Sequence, residues 1–456
     1  MLEIPLNRKS EVPLYRQIAL HLQKMIERGA LLPKTKLPGS RGLAQSLGVG
    51  RITVMEAYKL LSDYGYVVEL GRSGTYVSER SVSDDYFTGE FDHKWDFRTG
   101  QPTPDLIPSE ELSRVARDVL AFSSKEALCE APLSGLDSLR HVLVKHAASR
   151  GIPASWREVF VTAGGRQGIA LSLNALKQLG VRQMWVEKLT YPDAIMMAQS
   201  EGIEIKVLPP LEDISEKWYE CLSGSHMLYL VPSFQNPTGQ TISESLRHVI
   251  LEGSMKYGFW VLEDDAYGEL RYGERSISAL KALDGSERVV YLGSFSQVLF
   301  PGLRIGYSLV PNQLMESFVQ AQAKRYGPVS SLDQLIVQRF IESKGLESAL
   351  TTTRGVMESR MKTLGASLRV CVPEGDFLLP EGGIYLWLNI PGIDGREAAF
   401  EARKAGVLVA SGNQFSYEGE RVEAVRFAVS SIVNEEISSA VRCLQEAWRQ
   451  AFYSKC

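Results

Sequence analysis

The sequence predicts a winged helix-turn-helix over residues 1–78, then a linker and an α/β body over residues 96–456. Three observations support this prediction. Within the first eighty residues, short amphipathic segments joined by a tight turn precede an alternating, hairpin-like pattern. Beyond residue 96, short apolar runs alternate with helical segments, which is typical of an α/β domain. The charge is also divided, since residues 1–80 have a net charge of +5 while the whole chain of 456 residues has −4.

The composition excludes several classes of protein. Hydrophobic content of 44% and charged content of 23% are ordinary for a globular domain. The chain starts without the apolar core of a signal peptide, and no apolar run approaches the roughly 20 residues that span a bilayer. Five scattered cysteines indicate neither a disulfide framework nor a metal site, so we expect a cytoplasmic protein; they stand at positions 129, 221, 371, 443 and 456.

The first two helices are predicted from apolar spacing and from capping residues. Apolar residues at helical intervals, among them Leu14, Ile18 and Leu22, predict a helix over residues 13–28. The Pro- and Gly-rich segment GALLPKTKLPGS then ends it. Ser40 is predicted to cap a second, short helix, which Gly48 closes.

The segment RITVMEAYKLLSDYG predicts a third helix with Val54, Ala57 and Leu61 on one face. The alternating residues of GYVVELGRSGTYV predict a hairpin around Gly71–Gly74. Two short helices joined by a tight turn and followed by a hairpin form a winged helix-turn-helix, whose third helix enters the major groove of DNA. The positive charge of this part suits a polyanionic partner.

These eighty residues resemble the DNA-binding domain of the GntR family in PLYRQI, LPGSRGLAQSLGV, RITVMEAYKLL and GRSGTYV. The resemblance implies that two arginines contact bases, that a threonine holds phosphate and that the wing meets the backbone. Gly39 and Gly50 depart from the family, which usually has small polar residues there. The implied DNA-binding residues are Ser40, Arg41, Arg51, Thr53, Arg72, Gly74 and Thr75.

Residues 79–95 are acidic and polar, and they are predicted to be a linker. Five apolar runs follow and predict strands of one sheet. They are VFVTA (159–163), QMWVE (183–187), MLYLVPS (227–233), FWVLED (259–264) and VVYLGS (289–294). In open α/β sheets, ligands bind beyond the carboxyl ends of the strands.

Polar and small residues suited to one phosphorylated heteroaromatic ligand follow these runs. Gly164–Gly165 precede a helix and would expose backbone N–H groups to phosphate. Three adjacent acids, residues 263–265, would be costly at a strand end unless a cation or a protonated ring nitrogen met one of them. Arg304 offers a bidentate fork to phosphate.

In order and spacing this set resembles the fold-type-I pyridoxal-phosphate enzymes of the aminotransferase class, over residues 96–452. The resemblance implies a large α/β domain with a mixed, mostly parallel sheet and a small C-terminal α+β domain from about residue 350 to 456. Arg426 would bind a substrate or effector carboxylate, and Arg166 replaces the glutamine common in the family. The implied cofactor-binding residues are Gly164, Gly165, Arg166, Tyr191, Asn236, Asp264, Tyr267, Ser294, Ser296, Gln297 and Arg304.

Gln297 stands in SFSQVLFPGLRIGY, where the family motif S-x-S-K-x-x-x-P-G-L-R-x-G has the lysine that forms the Schiff base. A glutamine amide is neither nucleophilic nor basic, so it cannot form that bond or transfer a proton. The resemblance therefore implies non-covalent binding of pyridoxal 5′-phosphate and no catalytic residue. Lys188, near the end of a neighbouring strand, is the alternative amine. Natural decay, an introduced substitution and loss of the cofactor remain three possible origins of Gln297.

A winged helix joined to an aminotransferase-like body resembles the MocR-type transcription regulators. This implies a homodimer that binds operator DNA and senses pyridoxal phosphate together with an amino acid. Two alternatives remain open. The chain could be an aminotransferase that carries a DNA-binding module and is inactive through loss of its lysine, or a DNA-binding protein whose body only dimerises.

Overall fold

The chain forms two compact units, Met1–Glu90 and Phe91–Cys456. The computed structural model describes residues 4, 6, 13–27, 31, 34–63, 66–69, 74–77, 94–214, 218–273, 277–296 and 301–453. Within these ranges, no helix combines the length and the apolar character that crossing a bilayer requires.

The first unit is a three-helix domain with a small hairpin. Its elements are α1 (Leu14–Glu27), α2 (Ser40–Leu47), α3 (Arg51–Asp63), β1 (Val67–Glu69) and β2 (Thr75–Val77). The two strands are antiparallel, with Val67 opposite Val77, which confirms the predicted wing. Their apolar residues pack with those of the helices in one cluster that includes Ile18, Leu22 and Leu61.

The turn that follows α2 forms as predicted, but the start of α2 differs from the prediction. Gly48 ends α2 in the left-handed region, with φ of 61°, where an L side chain would be strained. The prediction that Ser40 caps α2 is wrong, because Gly39 is the capping residue and no side chain caps the helix. Ser40 is instead the first helical residue, and its Oγ accepts a hydrogen bond from Arg51 Nε at 3.4 Å.

A seven-stranded sheet forms the centre of the second unit. Its strands are β4 (Val159–Thr162), β5 (Gln183–Val186), β6 (Glu204–Val207), β7 (His226–Leu230), β8 (Trp260–Asp264), β9 (Val289–Ser294) and β10 (Gly306–Leu309). Their order is β4-β10-β9-β8-β7-β5-β6. Strand β10 is antiparallel to both its neighbours, and the other pairs are parallel. The sheet is therefore mixed and mostly parallel, and the five predicted strands are confirmed.

Helices cover both faces of this sheet. Tyr229 and Leu262 belong to the main core, whereas their neighbours Leu228 and Val261 belong to a second cluster with Ile250. Burial on both sides explains the continuous apolar runs of the sequence. The helices of the second unit are α4 (Ser109–Phe122), α5 (Ser124–Ala127), α6 (Asp137–Ser149), α7 (Gly165–Gln178), α8 (Pro192–Ser200), α9 (Glu244–Tyr257), α10 (Leu280–Leu283), α11 (Asn312–Arg325), α12 (Ser331–Glu342), α13 (Gly345–Cys371), α14 (Gly395–Lys404) and α15 (Asn434–Trp448).

The C-terminal part adds a smaller sheet, as predicted. It consists of β11 (Tyr385–Asn389), β14 (Ala424–Ala428) and β13 (Ala410–Ser411), all antiparallel. Separately, β3 (Trp95–Asp96) pairs in parallel with β12 (Val407–Leu408). Trp95 is thus part of the body, although the predicted linker extends to residue 95.

Candidate functional site

The carboxyl ends of the parallel strands meet at one edge of the large sheet, where Gly164 begins the site. Gly164 precedes α7 and has φ of 85° and ψ of 176°, a conformation open in practice only to glycine. A Cβ at this position would lie 3.1 Å from Ser296 Oγ and 3.3 Å from Arg304 Nη2. Gly164 therefore leaves open the space that the hydroxyl and the guanidinium flank at the start of a 14-residue helix.

The register of β10 brings these groups together. Gly306 lies opposite Ser294 on one side and opposite Thr162 on the other, so the segment containing Ser296 and Arg304 starts and ends beside the first turn of α7. Arg304 Nη2 donates to the carbonyl of Ala163 at 3.0 Å.

Ser296 has a polar atom suited to a ligand. Its Oγ is buried and, within the described part of the chain, has no hydrogen-bond partner. Its backbone N–H donates to Ser294 Oγ at 3.3 Å. A buried hydroxyl without a partner is costly, so it marks a place where a ligand would supply the missing bond. With Arg304 and the N–H groups of α7, it forms an anion-binding cradle.

Each of the three acids that end β8 has a different environment. Glu263 accepts the backbone N–H groups of Leu280 and Lys281 at 2.7 and 2.8 Å. Asp265 accepts from Arg150 Nη1 at 2.6 Å and from the hydroxyl of Tyr291 at 2.9 Å.

Asp264 lies between these two acids and has no cation among the partners described for it. Its Oδ2 accepts the hydroxyl hydrogen of Tyr229 at 2.8 Å. Burial raises the pKa of Asp264 to about 6, although hydrogen bonding from Tyr229 acts in the opposite direction. A cationic ring N–H beside Asp264 would stabilise the charged carboxylate.

Arg426 is a buried guanidinium held between aromatic rings. Its Cζ lies 4.1 Å from the ring centre of Tyr385 and 4.7 Å from that of Phe415. Nη1 donates to Asn236 Oδ1 at 2.7 Å, and Nη2 donates to the carbonyl of Arg98 at 2.5 Å. Nε is buried and finds no partner among the described residues. This places Asn236 and Arg426 together, as a site for ring and carboxylate oxygens requires.

The side chains of other predicted site residues form hydrogen bonds or ion pairs with neighbouring residues of the protein. The hydroxyls of Tyr267 and Tyr385 are 3.1 Å apart. Tyr191 donates its hydroxyl hydrogen to Asp193 Oδ2 at 2.6 Å, and the half-exposed Arg166 pairs with the same oxygen. The side chain of Arg166 is thus engaged by Asp193, while its backbone belongs to the first turn of α7.

Lys188 and Gln297 are the two positions that bear on whether the site has an amine. Lys188 Nζ pairs with Glu420 Oε2 at 2.7 Å and its side chain is 60% exposed, so its amine points to a surface carboxylate. Gln297 lies outside the described residues.

The geometry fits a phosphorylated pyridine. The cradle supplies donors for a dianion, and the carboxylate of Asp264 suits a ring N–H. Asn236 Oδ1 is used by Arg426, which leaves the donating Nδ2 end of this amide for a ligand oxygen. The donor set therefore matches pyridoxal phosphate at both ends of the molecule.

In the first unit, the predicted DNA-binding residues gather at the start of α2 and α3. Arg41 and Arg51 are exposed, and Ser40 accepts from Arg51. Thr53 is partly exposed near the start of α3, and a Cβ at Gly50 would lie 3.6 Å from its Oγ1. Gly74 and Thr75 belong to the described part of the wing, whereas Arg72 lies outside the described residues.

Sequence analysis missed several residues of the site. The partner of Asp264, Tyr229, is hidden in an apolar strand, although a hydroxyl in such a strand is itself a signal for a buried acceptor. Phe415 and Tyr385 enclose Arg426 from distant segments, and no local pattern indicates that contact. Asp193 follows Tyr191 by two residues and was visible as a nearby acid.

Comparison with known proteins agrees with both units. Residues 93–444 match the model of aminotransferase class I and II. The chain belongs to this family. Residues 14–77 match the bacterial regulatory proteins of the gntR family. This chain therefore has a GntR-type helix-turn-helix before its aminotransferase domain.

Two of the similar proteins are regulators by name. The chain is 27% identical to the HTH-type transcriptional regulator YisV of Bacillus subtilis, with 98% of each chain covered. It is also 27% identical to the probable rhizopine catabolism regulatory protein MocR of Rhizobium meliloti, over 80% of this chain and 79% of that protein. The chain is therefore homologous to MocR-type regulators.

Solved structures resemble the second unit. The α-aminoadipate aminotransferase LysN of Thermus thermophilus, complexed with N-(5′-phosphopyridoxyl)-L-leucine, is 28% identical. The superposition has a TM-score of 0.71 and covers 78% of this chain and 92% of LysN. This likeness confirms the fold-type-I aminotransferase fold.

Proposed function

We propose that this protein is a DNA-binding transcription regulator whose aminotransferase domain binds pyridoxal phosphate without a covalent bond and senses an amino acid. One observation carries the proposal. The body retains a cradle for phosphate and a buried carboxylate for a ring N–H, while residue 297 is an amide where the family motif has lysine. In this proposal the pocket binds the cofactor but does not catalyse a reaction with it.

The cofactor is held by residues at its two ends. Ser296 and Arg304 donate to its phosphate together with the first N–H groups of α7, and Asp264 accepts from its ring nitrogen. Pyridoxal phosphate, when bound, supplies an aldehyde that reacts with amines and a ring that withdraws electrons. Tyr229 holds Asp264 in place through the bond at 2.8 Å.

Turnover is absent in this proposal because residue 297 is an amide and not an amine base. The Gln297 amide neither binds the aldehyde covalently nor moves a proton. Lys188 does not replace it, since its ammonium pairs with Glu420 at 2.7 Å and is largely exposed. The alternative activity, transamination, requires a group that accepts and returns a proton, and Gln297 is not one.

Arg426 is proposed to bind the carboxylate of an effector amino acid. The rings of Tyr385 and Phe415 lie against the guanidinium, and its Nε is a buried donor with no partner among the described residues. Replacing Arg426 with lysine keeps the charge but removes the planar fork, so effector binding should weaken more than pyridoxal phosphate binding, which Ser296, Arg304 and Asp264 still support.

The first unit is proposed to bind an operator with α3 in the major groove, and the regulator is proposed to act as a homodimer. Two copies of α3 would then contact two half-sites. Arg51→Ala should cost about 1–3 kcal/mol on the operator if Arg51 contacts a base. An equal loss on random DNA would limit Arg51 to phosphate contact.

Titration with pyridoxal phosphate tests the sensor proposal. Tryptophan quenching and cofactor absorbance are followed for the chain and for Gln297→Lys. Saturable binding to both, with the visible band of a lysine-bound cofactor only in the variant, is expected. The proposal fails if the chain does not bind, and turnover of an amino acid with a keto acid would favour the enzyme alternative.

DNA binding is measured with and without the cofactor and amino acids. A change in operator affinity is expected when the pocket is filled. Indifference to both would leave the body as a dimerisation scaffold, which is the third hypothesis.

A further inference from the structure

The outer face of α3 exposes two large apolar side chains. Ile52 is 72% exposed and Met55 is 49% exposed. Neither side chain belongs to the core of the first unit, which takes Val54, Ala57 and Leu61 from the same helix. The core therefore explains one side of α3 and leaves the apolar residues of the other side unexplained.

Helical geometry places Ile52 on the side directly away from the core. Successive residues of an α-helix are rotated by about 100°, so Val54 and Leu61 lie in one row and Ile52 lies opposite. Met55 follows Ile52 by three residues and is its neighbour on the helix surface. The two side chains thus form one small apolar area on the surface.

Charged residues border this area. Arg51 and Lys59 are exposed on the same helix, and Arg41 is exposed at the start of α2. Arg51 lies close to α2, since its Nε donates to Ser40 Oγ at 3.4 Å. Glu56 is an exposed acid on this helix. A second copy of this face would bring like charges together, whereas a polyanion would neutralise them.

A partner of α3 must therefore be a polyanion that also presents an apolar group to Ile52 and Met55. DNA meets both requirements, because thymine carries a C5-methyl group. It is the apolar group that base pairs present in the major groove, and apolar side chains contact it there. We propose that Ile52 and Met55 contact thymine methyl groups, so that each half-site carries thymine beneath α3. This inference rests on the proposed DNA-binding function and adds the identity of the base that is recognised.

Uracil substitution tests the contact because it removes the methyl group and leaves every hydrogen-bonding group of the base. A duplex is first selected by the full-length protein from a random pool, and each thymine is then replaced by uracil in turn. For the thymines under α3, affinity should fall roughly fourfold per methyl, as for the burial of one methylene-sized group. Ile52→Ala and Met55→Ala should bind weakly and lose their sensitivity to uracil.

Leu20→Ala is the matched control, because Leu20 is a 44% exposed apolar residue on α1 of the same unit. It should bind like the unaltered protein and keep the sensitivity to uracil. All three positions are exposed, so thermal unfolding should be unchanged.

The outcomes separate this inference from the proposed function. A selected duplex that binds equally with thymine and uracil overturns the thymine contact and leaves DNA binding intact. Failure to select any duplex overturns both. Loss of dimerisation in Ile52→Ala, with uracil sensitivity unchanged, would assign this face to self-association and would also overturn the inference.

Discussion

Replacing Ser296 with alanine should stabilise the protein without cofactor and weaken its binding of pyridoxal phosphate. The two effects have opposite signs because the same hydroxyl is unsatisfied in one state and used in the other. Ser296 Oγ is buried without a partner in the described part of the chain. The backbone N–H that donates to Ser294 Oγ is retained in alanine, so the loop keeps that bond.

The magnitudes follow from the hydroxyl alone. Removing a buried, unsatisfied polar group relieves a penalty of about 1–3 kcal/mol. Removing its bond to a charged phosphate costs about 1.5–3 kcal/mol, which is roughly a ten- to hundredfold rise in Kd. A purely structural serine would not produce this pair of changes.

Ser308→Ala supplies the control. Ser308 lies in β10, and its Oγ is likewise buried without a partner among the described residues. This variant should gain similar stability and leave cofactor affinity unchanged. Denaturant unfolding gives the first quantity, and titration by tryptophan quenching gives the second. The cradle is refuted if Ser296→Ala binds pyridoxal phosphate as tightly as the unaltered protein does.

Three further outcomes concern the same pocket. Burial raises the pKa of Asp264 to about 6, so its carboxylate becomes protonated as the pH falls through that value. Cofactor affinity measured by titration should therefore fall in this pH range. Asp264→Asn should bind the cofactor weakly and lose this component of the pH dependence. Tyr229→Phe removes the hydroxyl that opposes the shift, so the midpoint of the pH profile should move upward, and an unmoved midpoint would contradict this role. Gly164→Ala should strain the backbone by about 1–3 kcal/mol and block the phosphate. The control Gly151→Ala, at a glycine with positive φ and open space around it, should be strained but still bind pyridoxal phosphate. Equal titration curves for the two variants would exclude the cradle.

Much of the fold was predictable because its signals are local. The continuous apolar runs identify five strands, since a sheet that is covered on both faces leaves no polar alternation. Strand β10, with sequence GYSL, has too few apolar residues to stand out, and its antiparallel direction depends on pairing with β4 and β9. The apolar residues of α15 are spaced at helical intervals, and Ile437 and Trp448 among them are buried, so this helix also carries a local signal.

The sequence names candidate residues for the site, whereas the contacts between them depend on the fold. Asp264 could be named as a member of an acidic triplet, but the separate partners of its neighbours depend on residues as distant as Arg150 and Leu280. The prediction that Arg166 binds phosphate stays a prediction, and the sequence did not indicate the pairing of its side chain with Asp193. Ser40 was expected to cap a helix, but it accepts from Arg51 because the two helix starts lie together. Tertiary packing determines the partners of these side chains, and local sequence does not reveal it.

The position of β10 has a consequence for substitutions in the segment that follows β9. Gly306 pairs with Ser294 and with Thr162, so strand pairing fixes both ends of the segment from Ser294 to Gly306. A different side chain at position 297 would therefore change the chemical group offered to a ligand while these strand pairs stay in place. The sheet thus provides a fixed frame in which the residue at 297 can be exchanged.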